Sequence, residues 1–293
     1  LKDTPEQRAA NDYSSEEMRV KLNHNEPIIN KLIPTFPVGC RRSTPGNGYL
    51  EALIAPNVRL ITESIDRVVP EGILLSTGEV LKVDVFICAS GFDISFWPRF
   101  PTIGRNEASL KVQWETKPEA YLSLAAENFP NYFSKCYPPV AFFSLKPVSV
   151  FCGPNAPIGH GSVIPIVEHT AKYIINVLKK MQVQGIRTIA PSAKAVADFN
   201  AHIPAFMKRT VWSAKCRSWY KNGKVDGPVI GLHPGSRIHW FHMLDQPRYE
   251  DFEYTYLTAN RFQYLGNGLS TREEDLSQTA YYFDNPDAGY TNY

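Results

Sequence analysis

Between Val163 and Gln182, the residues Ile164, Val167, Ala171, Ile174, Ile175, Leu178 and Met181 recur at three- and four-residue intervals. One apolar stripe of that period predicts an amphipathic helix. Ser162 stands where an N-cap belongs, and Pro165 falls in the first turn, where its missing N–H costs little. A second helical run opens at Ser192 and continues through Val196, Phe199, Ile203 and Phe206, with a kink at Pro204. Residues 1–33 also read as helical turns, Ser14-Ser15-Glu16-Glu17 opening an amphipathic stretch through Met18, Val20 and Leu22. Short β-rich pieces follow at Val58 to Ile61, Ile65 to Val69 and Gly72 to Leu75. Ser76-Thr77-Gly78-Glu79 then marks a hairpin turn. The run Val83 to Cys88 is almost wholly apolar, the pattern of a strand buried on both faces. From Arg248 to Tyr254 charged and aromatic residues alternate, as in a half-buried strand.

Composition narrows the classes. A chain of 293 residues with 43% hydrophobic residues forms one large or two modest domains around a proper core. A formal charge of +2 without blocks of like charge excludes nucleic acid and acidic membrane surfaces as partners. No continuous apolar segment is long enough to span a bilayer, and the polar start at Leu1 carries no secretory signal, so a cytoplasmic protein is expected. The missing initiator Met leaves open a start within a longer protein. Cys40, Cys88, Cys136, Cys152 and Cys216 are odd in number and widely spaced. Reduced thiols are therefore expected, without a disulfide framework, redox dithiol or cysteine zinc site. His233, His239 and His242 have no carboxylate at regular helical spacing, so no metal site is expected and they read as surface or core residues.

Candidate chemistry gathers in three places. The loop Gly153-Pro154-Asn155-Ala156-Pro157-Ile158-Gly159-His160-Gly161 precedes the predicted helix start. Its glycines let backbone approach a flat ligand, and the dipole end favours an electron-rich group. Arg41-Arg42, inside the polar turn Gly39 to Tyr49, presents permanently charged donor forks suited to an anion. Ala89 to Asp93 ends the apolar run, where ligands lie in open parallel sheets. Trp212, Trp219, Tyr220 and Trp240 add aromatic surface suited either to a flat ketone or to packing.

In order and rough spacing, several segments carry a family resemblance. They are Arg41-Arg42 with Gly48-Tyr49, Cys88-Ala89-Ser90-Gly91-Phe92-Asp93, Trp114, Pro130-Asn131-Tyr132-Phe133, Gly153 to Pro157, and Cys216-Arg217-Ser218-Trp219-Tyr220. Together they resemble the C-terminal half of class B flavin-containing monooxygenases, most nearly the fungal Baeyer–Villiger monooxygenases of polyketide and mycotoxin pathways. The resemblance implies an α/β fold class: the C-terminal part of a two-domain, Rossmann-like FAD- and NAD(P)-binding fold with a helical substrate side, present incompletely. It implies residues 1–88 as the tail of the NADP-binding domain and linker, and 89–192 as the C-terminal part of the FAD-binding domain. Residues 193–270 would be a helical, aromatic extension and 271–293 a disordered tail. FAD and NADPH are the implied cofactors, and a ketone such as an aromatic polyketide, with molecular oxygen, the implied substrates. Arg42 matches the residue that stabilises negative charge on flavin-bound oxygen, with Arg41 as its basic neighbour. Ser90, Gly91, Phe92 and Asp93 match a cofactor-side segment that usually carries threonine at the Ser90 position. Gly153, Pro154, Asn155, Ala156 and Pro157 match the flavin-ring contact, and Trp219 a tryptophan near the nicotinamide.

The departures shape the function readings. Neither Gly-x-Gly-x-x-Gly turn of the complete family is found, nor the fingerprint with its central histidine. A fragment or truncated paralogue with little independent FAD affinity is expected. Residues 134–150 interrupt the usual passage from Pro-Asn-Tyr-Phe to the glycine loop and read as an insertion, such as a translated intron. Three readings follow: an FAD- and NADPH-dependent Baeyer–Villiger monooxygenase, a non-catalytic remnant or partner of that family, and a heteroatom-oxygenating relative. A disulfide reductase is disfavoured by the lack of a redox cysteine pair.

Overall fold

The computed structural model describes residues 1–44, 46–91, 93–133, 152–159 and 161–273. The expected insertion at 134–150 lies outside them. So does the expected tail, except that Thr271–Glu273 form one short turn.

Helix α1 (Pro5–Lys21) starts where the Thr4 hydroxyl accepts the Gln7 N–H, with Pro5 in the first turn. No residue of α1 is buried. It is held by its polar face instead: Gln7 donates to the Val38 carbonyl, and Asn11 accepts from the Val38 N–H at 2.8 Å. These bonds fix the chain just before the arginine turn. Asn25 caps α2 (Glu26–Leu32), which buries Ile29, and α3 (Tyr49–Leu53) closes the turn.

Strands β1 (Ile65–Val69), β2 (Gly72–Leu75) and β3 (Val80–Leu81) form an antiparallel sheet in that order. The expected turn at Ser76–Glu79 joins β2 to β3, with Gly78 at φ +88° and its N–H bonded to the Leu75 carbonyl. Two β expectations fail. Val58 to Ile61 forms no strand, and neither does Val83 to Cys88, where Val85 is 74% and Ile87 82% exposed. A strand apolar on both faces needs neighbours on both sides, and among the described residues no sheet receives it. All strand pairings among the described residues are antiparallel, so the parallel switch point that would make Ala89 to Asp93 a ligand crevice is not formed.

Helix α4 (Leu110–Thr116) anchors a small core of Leu110, Trp114, Ala120, Ala126, Phe129 and Tyr132. Trp114, fully buried, donates its indole N–H to the Glu119 carbonyl. Helix α5 (Ile164–Val183) carries the predicted glycine-loop helix, with the Ser162 hydroxyl accepting the Ile164 N–H. Its buried face is Ile166, Thr170, Tyr173, Ile174 and Val177, whereas Ile164, Ile175 and Leu178 of the predicted stripe are exposed. The helix is right and its rotation differs, because packing against its neighbours selects the Thr170 and Tyr173 face.

Strand β4 (Ile186–Pro191) pairs antiparallel with β5 (Phe252–Tyr256), whose alternating burial matches the expected half-buried strand. Asn131, at φ +60°, extends this sheet's edge: its N–H donates to the Ile189 carbonyl, and its side-chain oxygen accepts the Ile189 N–H. The Pro-Asn-Tyr-Phe motif is thus a structural clamp. Helix α6 (Ala193–Met207) is capped by Ser192 as expected and buries Val196, Ile203 and Met207, and α7 (Arg237–Asp245) packs against α5. The main core joins α5, α6, α7 and both strands of the second sheet to Ala156, Ile158, Tyr220 and Leu232 of the loops.

One expectation about the cysteines is overturned. Cys40 and Cys216 are joined as a buried disulfide, their Cα atoms 6.5 Å apart. Their 176-residue separation hides this pairing from any reading of local spacing. Cys88 is exposed and Cys152 buried, and neither takes part in this disulfide. Among the described residues no cluster of His, Cys, Asp and Glu could hold a metal, and no helix is long and apolar enough to cross a membrane.

Candidate functional site

The glycine loop is buried from Cys152 to Ile158 and held by backbone partners on both sides. Gly153 donates to the Ser123 carbonyl, Asn155 donates its N–H to the Ile230 carbonyl, and Ala156 accepts from His233. Asn155 adopts φ +63°, a left-handed conformation that asparagine tolerates better than most residues. Its side-chain amide donates to the carbonyls of Val229 and Leu232 at 3.2 and 3.0 Å. Asn155 therefore clips the loop to the 229–233 segment, and its amide is not free to face a ligand. Among the described residues the loop regains partial exposure at Gly159.

Arg42 reaches this end from the early polar turn. Its Nη2 donates to the Gly161 carbonyl at 3.0 Å and its Nη1 to the Ile158 carbonyl at 3.4 Å. Both acceptors are neutral, so its positive charge is not cancelled by a carboxylate. Arg237, in the first turn of α7, approaches the same glycine from another side. Gly161 sits at φ +69°, and a side chain there would collide with the Arg237 guanidinium. Nε and Nη2 of Arg237 are buried without a hydrogen-bond partner. Two guanidiniums thus converge on the loop just before α5. Arg41 turns elsewhere, its guanidinium 5.8 Å from the centroid of the Phe36 ring.

The third wall is the turn around Trp219. Ser218 accepts the Tyr220 N–H, while the Tyr220 carbonyl accepts from Ile230 and Gly231. Trp219 meets Tyr220 edge to face at 4.7 Å and packs over Gly231. Lys221, 1% exposed, donates from Nζ to the Ala214 carbonyl at 2.5 Å and the Val225 carbonyl at 2.7 Å. Burial lowers its pKa, with Asp226 opposing. The Tyr220 hydroxyl is buried without a partner; burial raises its pKa while the nearby Arg42 charge lowers it. The Cys40–Cys216 disulfide ties this turn to the residue beside Arg41.

Beside the glycine loop lies a small cleft lined by Pro157, Gly159, Trp212, Leu232, His233 and Gly235. His233 is 1% exposed. Its Nε2 lies 3.2 Å from Nδ1 of His239, and its own Nδ1 is buried with no partner. Burial, then the neighbouring His239 and His202, push its pKa down to about 3, so the ring is neutral at physiological pH.

Of the remaining expected residues, Ser90, Gly91 and Asp93 are exposed, and Phe92 lies outside the described residues. Asp93 accepts the Ser95 N–H, which lowers its pKa, and Ile94 lies against Gly223 beside the Trp219 turn. No hydrogen bond among the described residues ties Ser90 to Asp93 to the glycine loop. The structure brings together Arg42, the glycine loop and the Trp219 turn, and leaves Arg41 and Ser90 to Asp93 outside.

Comparison with known proteins follows this geometry. The FAD-binding monooxygenase tazF of Aspergillus terreus is 40% identical over 269 residues, which are 90% of this chain and 45% of the relative. A Baeyer-Villiger monooxygenase of Pseudomonas aeruginosa is 30% identical over 210 residues, 71% of this chain and 37% of the relative. The chain is related to the C-terminal part of the Baeyer–Villiger type of flavin monooxygenase. The fold agrees: the NADP+-bound cyclohexanone monooxygenase from Rhodococcus sp. Phi1 superposes with a TM-score of 0.69 at 23% identity, over 85% of this chain and 45% of that one. The chain spans less than half the length of these relatives. No protein-family model matches it.

Arg237 escaped the sequence reading, and His233 was read there as a surface or core residue, of which the structure shows the core. A usable signal existed in Leu232-His233-Pro234-Gly235-Ser236-Arg237. There a Pro-Gly turn runs straight into the N-cap Ser236, placing both side chains at a helix entrance.

Proposed function

We propose that this chain is the flavin- and substrate-facing part of an FAD- and NADPH-dependent monooxygenase that inserts one oxygen atom beside a ketone carbonyl. The observation that carries this reading is the meeting of Arg42 with the glycine loop at Ile158 and Gly161. The residues fit the ring end of a flavin. Two guanidiniums bonded to no carboxylate face a glycine-bearing loop at the start of a 20-residue helix, and buried Nε and Nη2 of Arg237 await an acceptor. They do not supply a phosphate grip, because the Gly-rich turns are absent from this sequence. When bound, FAD would supply the reduction and oxygen activation.

The chain's own contribution is electrostatic. Arg42, fixed by two carbonyls, keeps a positive charge where negative charge develops during oxygen insertion. A preorganised charged donor of this kind contributes about 3–4 kcal/mol, a hundred- to thousandfold in rate. The Trp219 turn screens one side from water, and Pro157, Trp212 and Leu232 provide an apolar wall for the organic substrate.

The test is a comparison of the chain with its Arg42→Ala variant, following flavin absorbance, NADPH oxidation and ester formation from an aryl ketone. The expected result is that Arg42→Ala leaves NADPH oxidation in place and lowers ester formation at least a hundredfold. Equal ester yield removes Arg42 from the reaction.

A further inference from the structure

We propose that Arg237 is a positioning residue for Arg42 and acts on it through Gly161. The inference deepens the oxygenase reading and rests on it for the purpose of the contact.

The seat of Arg42 depends mainly on one acceptor. Its bond to the Ile158 carbonyl is long at 3.4 Å, so the 3.0 Å bond to the Gly161 carbonyl carries most of the hold. That carbonyl belongs to a residue without a conformational preference of its own. Gly161 stands at φ +69°, and glycine takes either sign of φ at similar cost. Something beside the peptide must therefore keep its carbonyl turned toward Arg42. Arg237 lies there: its Nη1, Nη2 and Cζ occupy the space that a side chain at position 161 would fill. The peptide cannot turn on that side without displacing the guanidinium.

Stability does not account for an arginine at this position. Arg237 is the first residue of α7, directly after the N-cap Ser236, where a cation meets the positive end of the helix. Its Nε and Nη2 are buried without a hydrogen-bond partner, a second unfavourable feature in the same side chain. Local rules broken twice by one residue are the pattern expected where a side chain serves a site. Its placement is also well defined. Helix α7 packs against α5, so the guanidinium is carried by one helix to the glycine just before the other. Arg41 supplies the contrast, because its guanidinium lies by the Phe36 ring and makes no use of Gly161.

The test follows guanidinium rotation by nitrogen NMR in the full 293-residue chain, with Arg41 as internal control. Arg42 is expected to rotate more slowly than Arg41. In Arg237→Ala its rotation should quicken about fivefold, the equivalent of one ordinary hydrogen bond, with Arg41 and the urea midpoint unchanged. Arg237→Met, which refills the space without charge, should restore the slow rotation. Unchanged Arg42 in Arg237→Ala overturns the proposal, and so does a Met variant as loose as the Ala variant. Loosening of Arg42 and Arg41 together with a fall in the urea midpoint overturns it as well, because the role is then merely structural. If the Ala variant does not fold, the unsubstituted chain decides: a nuclear Overhauser effect between the Gly161 α-protons and the Arg237 guanidinium is expected, and its absence overturns the contact. Ester formation is read separately. Arg237→Ala is expected to lower ester formed per NADPH oxidised about ten- to hundredfold at unchanged KM for the ketone. Arg42 loosened with no ester from either chain removes only the oxygenase reading. Arg42 loosened at equal ester yield overturns the role of Arg237 in the reaction.

Discussion

The segments Gly153 to Gly159 and Val83 to Asp93 carry equally plain letters of the family, and the fold treats them in opposite ways. The first is buried and clipped through Asn155, Ala156 and Gly153 to two distant parts of the chain. The second forms no strand from Val83 to Gly91 and is exposed there, with Ile87 at 82% and Val85 at 74%. A motif acquires structure here where hydrogen-bond partners are folded beside it. The loop finds them in Ser123 and the 229–233 segment, while the apolar run finds no adjoining strand. The same difference separates Arg42, seated on the loop, from Ser90, Gly91 and Asp93, which make no bond to it.

The sharpest way to break the clipped region is to cut its covalent tie. The Cys40–Cys216 disulfide closes most of the chain into one loop, which in the chain-entropy picture contributes about 2–5 kcal/mol. Dithiothreitol is expected to shift the urea midpoint downward by that amount, and Cys216→Ser to reproduce the shift without reductant. A midpoint indifferent to reductant means that the two sulfurs carry no tie in solution. Next in size is Asn155→Ala. It strands the buried carbonyls of Val229 and Leu232 and places alanine at φ +63°, a combined cost of about 3 kcal/mol. An urea titration showing less than about 1 kcal/mol would mean that the loop is held by its backbone bonds alone.

Much of this architecture was legible from local chemistry. The cap at Ser192, the hairpin turn at Gly78, the α5 and α6 helices and the alternating strand from Phe252 each depend on residues within a few positions of one another, whereas the cap position of α5 is Val163 in place of the expected Ser162. What was not legible depends on distant partners. The α5 stripe was read a fraction of a turn away because Thr170 and Tyr173 look less apolar than Ile175 and Leu178, and only packing against the rest of the core decides between the faces. Cys40 and Cys216 are invisible as a pair for the same reason. Within the site, Arg42 and the glycine loop were named from the letters. The role of Asn155 as a clip and the neutral His233 needed the 229–235 turn to be folded beside them.

A pH experiment probes the clipped region less severely. The His233 pKa falls from an ordinary 6.5 to about 3 on folding. The unfolded chain therefore binds the extra proton first as pH drops. Stability is fully present above pH 6.5 and declines as the pH falls from there toward 3. At pH 5 the loss relative to pH 7 is about 2 kcal/mol from this group. His233→Gln, which does not titrate, is expected to show a pH 7 to pH 5 loss smaller by that amount. Parallel curves would mean that His233 is protonated in the folded chain.

The exposed run supplies the smallest effect and the cleanest contrast. Were Val83 to Cys88 a strand buried on both faces, a lysine at position 85 or 87 would bury an unpaired charge and cost several kcal/mol. As the chain folds here, both side chains face water, and the substitutions Val85→Lys and Ile87→Lys are expected to change stability by less than about 0.5 kcal/mol. Removing contiguous apolar surface should also reduce self-association on sedimentation and the binding of a hydrophobic dye. A loss above about 2 kcal/mol in either variant would show that this run is packed after all. The difference between loop and run would then lie in how tightly each is covered, and no longer in whether it has partners.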